Sequence, residues 1–342
     1  MLQGHAFNSF LKPSLRNDGP YVLSQFVGGI PAAVFMFLLG VTLALRMDAG
    51  ERKGLSPWRR VYSALLRARY LIVIAVLFRL QLWIFGLPYG AWQDLFRVDV
   101  LNSMAFSAAV LSLMGLFTTR ERSRFCAVLG VLIAAAAPVV SAIDWSQVHP
   151  FVKAYLVPDY LFFGFFPHAA FVAFGMSAGS IFRLLKPEQM DTAMMWGCVL
   201  GFGLILGGQY FAEQQFSIYS KSEFWLNSPA MTLIKVGVIL LMLGFAFLWT
   251  QYGAGAGWSW VRQFGTTSLL VYWVHVELVY GRWFWFFKER LDAAQTAETA
   301  AALILLMLAL SVARTNWDRW KGLRFAPGGY FFGSGVRQTS GD

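Results

Sequence analysis

Long apolar runs, each followed by a short polar break, repeat along almost the whole chain. They fall at about 22–46, 64–86, 100–118, 126–143, 160–183, 193–212, 229–250, 266–287 and 297–314. A run of roughly twenty apolar residues spans the ~30 Å hydrocarbon core as a helix, and lipid admits only helices or closed barrels. The pattern therefore predicts an all-α, polytopic membrane bundle of about nine transmembrane helices. It divides the chain into an N-terminal segment 1–21, a bundle 22–314 and a tail 315–342, whose Gly-rich end after about residue 322 is expected to be poorly ordered.

The basic residues orient this bundle. Arg46, Arg52, Lys53, Arg59, Arg60, Arg67 and Arg69 cluster around the first connection, and every second connection after it is again basic. The positive-inside rule makes that side cytoplasmic, with the C-terminus on it and residues 1–21 on the other. The other side has longer connections rich in Trp and Tyr, suited to an interfacial belt. The +10 formal charge thus reflects topology and lipid headgroups, and it excludes a nucleic-acid partner. Composition agrees with membrane residence: 57% of the residues are hydrophobic and 13% charged, where a soluble protein carries about a quarter charged. Cys126 and Cys198 lie in or beside apolar runs and read as packing residues. No cleavable signal sequence and no metal-ligand spacing stand out.

Against this background, ionisable residues inside apolar runs are the informative ones, since each costs about 2.5–3.5 kcal/mol at mid-bilayer. Arg79 stands near the end of the second run. Arg97, Asp99 and Asn102 open the third, with Asp99 placed either to cap the helix or to line a site. His168 follows Pro167, where a kink is expected that frees the Phe163 carbonyl, and Gly175 with Gly179 offers a close helix contact. Tyr272 and His275 share one stripe of the eighth run, and Glu277 lies on another, with Arg79 or Arg282 as its expected ion partner. His5 belongs to the same side as Arg79, Arg97 and Asp99.

Several of these segments, in order, resemble the transmembrane acyltransferases of the heparan-α-glucosaminide N-acetyltransferase catalytic type, and more distantly the acyltransferase-3 proteins. They are GHAFNSFL, LSQFVGGIPAAVFMFLLGVTLAL, RVDVLNSMAFS, FFPHAAFVAFGMSAG and GTTSLLVYWVHVELVYG. The resemblance implies an integral-membrane enzyme that moves an acyl group from cytoplasmic acetyl-CoA or another acyl-CoA to a sugar amine or hydroxyl on the opposite side. By it, His5 matches the family's catalytic histidine, His275 the histidine of the late SLLVYWVH-type motif, and Asp99 and Asn102 the DVL-x-polar stretch. Family members carry an apolar helix before the catalytic histidine, so a start upstream of Met1 is expected.

On this reading His5, Asp99, Arg79 and His275 form the catalytic set. Arg97, Asn102, His168, Glu277 and Tyr272 bind substrate. His5 acts as base or acyl carrier, Asp99 orients it, and Arg79 or Arg97 stabilises the oxyanion. No metal is expected; the partners are membrane lipid and a carbohydrate or glycolipid acceptor, with a homo-oligomer allowed, in the inner or plasma membrane. Two rivals stand beside it. A glycan or lipid transporter or flippase would use buried His, Glu and Arg as well, and an inactive membrane subunit would explain a missing first helix.

Overall fold

The computed structural model describes residues 1–17, 19–87, 91–214, 218–253 and 257–324, and among these the extended regular elements are all helices. The Gly-rich tail end lies outside the described residues. In chain order the helices are α1 (Leu2–Phe10), α2 (Gly19–Arg52), α3 (Pro57–Gly86), α4 (Val100–Leu111), α5 (Thr119–Ala142), α6 (Pro150–Leu156), α7 (Phe165–Leu184), α8 (Met190–Ala212), α9 (Pro229–Leu248), α10 (Trp260–Thr266), α11 (Ser268–Tyr280) and α12 (Ala293–Arg324). Among the described residues, eight segments are long and apolar enough to cross a bilayer: α2, α3, α4 with its short flanks, α5, α7, α8, α9 and α12.

The expected span 266–287 is not one helix. α11 has 13 residues, about 20 Å at 1.5 Å per residue, and stops at Gly281. On its other side Thr267 leaves helical geometry (φ −120°, ψ 20°) and separates α11 from α10. The cause is polar competition for the backbone. The Thr267 hydroxyl donates to the Gln263 carbonyl at 3.2 Å and also meets Ser311 of α12. The eighth expected span is therefore a helix in two pieces.

Helices α2 and α7 form the spine. A Cβ on Gly175 would collide with the Phe37 carbonyl, and one on Gly40 with the Val172 carbonyl, so only glycine lets the backbones meet. Pro167 acts differently from expectation. Phe166, just before it, is extended (φ −89°, ψ 132°), as the residue before proline prefers. The regular helix thus begins at Pro167 instead of bending there, and the Phe163 amide pairs with the Val98 carbonyl at 3.1 Å.

One end of the spine is closed by charge. The Asp48 carboxylate accepts from Arg52 at 2.9 Å, Arg183 at 2.8 Å and Thr119 at 3.0 Å. Glu51 pairs with Arg60 at 2.9 Å and caps the Thr119 amide. Fully buried Arg122 donates to Ser180, Thr119 and the Phe117 carbonyl. This network ties α2, α3, α5 and α7 together and uses basic residues internally. The candidate chemistry lies at the opposite end.

A two-histidine candidate active site

Helix α1 runs parallel to α11 in matching register. His5 Nδ1 lies 3.1 Å from His275 Nε2, and four residues on, the Ser9 hydroxyl donates to the Val279 carbonyl at 2.9 Å. The Asn8 amide donates to the Tyr280 hydroxyl at 3.1 Å and accepts from Tyr21 at 3.2 Å. The last carbonyls of α1, on Ser9 and Phe10, would be orphaned at a helix end. They accept instead from Glu289, Arg290 and Leu291 amides in the segment before α12.

The hydrogen-bond chain assigns the protons when both rings are neutral. His275 Nδ1 lies 2.6 Å from the Val271 carbonyl. A carbonyl only accepts, so His275 carries its proton on Nδ1 and offers a lone pair at Nε2. His5 must then donate from Nδ1, which leaves His5 Nε2 as an unprotonated nitrogen. Burial first, and the adjacent His275 ring second, lower the His5 pKa to about 3. The ring is stacked on His275 at 5.2 Å and meets Tyr280 edge-on at 5.2 Å. Tyr272 presents its edge to His275 at 5.7 Å.

Tyr280 is also a wall of an 820 Å³ cavity lined by Arg79, Arg97, Arg282, Lys288 and one carboxylate, Asp94. Among the described residues none of these four cations has a carboxylate within 4.0 Å. They are held by carbonyls: Arg79 by Asp94, Arg97 by Leu161, Arg282 by Leu87 and Lys288 by Tyr280. A second, mostly apolar cavity of 250 Å³ reaches His275 between Pro31, Phe35, Phe264 and Met307.

The other sequence candidates separate. Asp99 is the N-cap of α4, its Oδ1 accepting from the Leu101 and Asn102 amides at 2.9 and 3.0 Å and from the Asn102 side chain at 3.0 Å. It makes no hydrogen bond to His5, which is oriented by His275. Its second oxygen, Oδ2, is buried without a partner. Asn102 also accepts from Tyr155 at 3.3 Å. Glu277 does not pair with Arg79 or Arg282. It accepts from the Trp283 indole at 3.1 Å, and its other oxygen is buried and unpaired. Arg79 and Arg282 donate instead to the Asp94 and Leu87 carbonyls. His168 lies apart, its Nδ1 2.8 Å from the Gly164 carbonyl, in a pocket with Lys235.

Sequence reasoning passed over Tyr280 and Lys235. Lys235, a single cation in the apolar run TLIKVGVILLMLG, carries the same signal that singled out Arg79. Tyr280 carries none, because its meeting with His5 depends on the helix register alone.

Comparison with known proteins places this geometry in context. The family model described as "Heparan-alpha-glucosaminide N-acetyltransferase, catalytic" matches residues 6–213. The chain is also 28% identical over 187 residues to the Na(+)/H(+) antiporter NhaA 1 of Brucella anthropi, covering 54% of this chain and 43% of that protein. The match thus spans less than half of that relative's length. No solved structure matches the chain.

Proposed function

The chain belongs to the heparan-α-glucosaminide N-acetyltransferase catalytic family, and from that premise we propose that it is a membrane acyltransferase with His5 as its base. The donor is acetyl-CoA or another acyl-CoA on the cytoplasmic side, and the acceptor is a sugar amine or hydroxyl reaching the cationic cavity from the opposite side. The single observation that carries the reading is the fixed proton order Val271–His275–His5, which supports a free Nε2 lone pair on His5.

In this mechanism the acceptor nitrogen or oxygen attacks the thioester carbonyl while His5 Nε2 takes its proton. A C–N or C–O bond forms, the C–S bond breaks, and the CoA thiolate leaves and collects a proton. His275 is a positioning residue that holds His5 in the useful tautomer. Arg79, whose Nε already donates to the Asp94 carbonyl at 3.0 Å, faces the cavity where oxyanion charge would develop. The apolar cavity beside His275 suits the acyl group.

The test is acyl-CoA-dependent transfer to a sugar acceptor in membranes. His5→Ala should lose 10²–10⁴-fold, the usual range for a removed general base; labelling equal to the parent overturns the assignment. The antiporter similarity favours transport as the second reading. Proton or sodium flux in proteoliposomes without acyl-CoA turnover would select it.

A further inference from the structure

We propose that the pocket between the starts of α7 and α9 is a binding site for a phosphoethanolamine-type headgroup, with Lys235 holding the phosphate and Asp159 the ammonium. The site is separate from His5 and does not rest on the acyltransferase reading.

The pocket has a volume of 170 Å³, room for five or six waters at about 30 Å³ each, and so for one small headgroup. Lys235 stands six residues into α9 from Pro229. Helical side chains lean toward the N-terminus, which carries its stem toward the pocket mouth. Among the described residues no carboxylate lies within 4.0 Å of it, although an unpaired lysine inside an apolar helix is costly. Thr232, one turn nearer the mouth, lines the same wall.

The charges are ordered by depth. Lys235 sits inside, and Asp159 lies at the mouth, in the segment before α7. Asp159 keeps one oxygen on the Leu161 amide at 2.7 Å, leaving the other for a ligand. Beside it stand two exposed aromatic residues, Tyr160 at 68% and Trp225 at 50%, which suit both a bilayer interface and a cationic amine. His168 donates its Nδ1–H to the Gly164 carbonyl, which leaves Nε2 as an acceptor that an ammonium can use and a phosphate cannot. A plain anion would meet Asp159 as a like charge. A group with phosphate inward and ammonium outward, as a phosphatidylethanolamine head lies in a leaflet, satisfies both ends.

The full chain is reconstituted in nanodiscs of phosphatidylcholine mixed with phosphatidylethanolamine or phosphatidylglycerol, and retained lipid is read by native mass spectrometry. The parent should retain phosphatidylethanolamine at least tenfold over phosphatidylcholine. Lys235→Met should lose that retention tenfold or more, Lys235→Arg should keep it, and Asp159→Asn should abolish the preference over phosphatidylglycerol. Removing a charge from an apolar helix does not threaten folding, and melting without lipid checks this. Retention by Lys235→Met equal to the parent overturns the proposal, as does a parent preference for phosphatidylglycerol. Displacement by soluble O-phosphoethanolamine as readily as by the lipid overturns a membrane source for the group.

Discussion

At the scale of single residues, the pairing of His5 with His275 makes the most specific demand. If His275 serves only to accept from His5 Nδ1, then His275→Gln, whose amide oxygen can also accept, should keep more activity than the non-accepting His275→Leu. Comparing kcat of the two at saturating acyl-CoA checks this, and equal loss in both would remove the positioning role. Acidity gives a second expectation. With a folded pKa near 3 and an unfolded value of about 6.5, His5 stays neutral through the ordinary working range. The rate should show no limb at pH 6.5–7 from this group. Between pH 6.5 and 3 the unfolded chain binds the extra proton, so stability falls as pH falls through that window. His5→Gln should flatten that part of a melting curve taken against pH.

At the scale of elements, close backbone contacts and buried charge set the predictions. Gly175→Ala, which puts a methyl group into the Phe37 carbonyl, should destabilise the α2–α7 pair by about 1–3 kcal/mol, the usual overpacking cost. Asp48→Ala strips the shared partner of Arg52 and Arg183, whose side chains are 58% and 39% exposed, and the acceptor of the buried Thr119 hydroxyl; it should cost about 1–3 kcal/mol, read as detergent melting. Eight of the nine expected spans, in their order, were legible among the described residues because the lipid requirement is written in local composition. Gly175 and Gly179 were legible as a close contact for the same reason, since small residues at helical spacing are a local pattern. The break at Thr267 was not, because its cause includes Ser311, 44 positions away. Nor was the fate of Glu277, whose partner is the nearby Trp283 indole, since the sequence does not show that Arg79 and Arg282 are engaged elsewhere. His5 and His275 stand in the sequence only as separate candidates; their direct bond depends on the parallel register of α1 and α11.

At the scale of the molecule, polar function divides between two ends. The Asp48 end is laced by ion pairs, and the His5 end holds the cavities. The distribution of Lys and Arg predicts the Asp48 end in the cytoplasm. Cysteine labelling tests it: Ser146→Cys, exposed in the α5–α6 connection, should react with an impermeant reagent in intact cells, and Arg120→Cys should react only after permeabilisation. The reverse pattern would put the sugar acceptor and acyl-CoA on the wrong faces. Finally, the line of hydrogen bonds running through the two imidazoles terminates on Val271, and an amide oxygen is no proton sink. Nothing gained at His5 can be drained rearward except by charging His275, which among the described residues has no carboxylate within 4.0 Å. Whatever arrives must depart through the entrance it used, so each catalytic cycle would have to reset on the cavity side before another acceptor could be deprotonated.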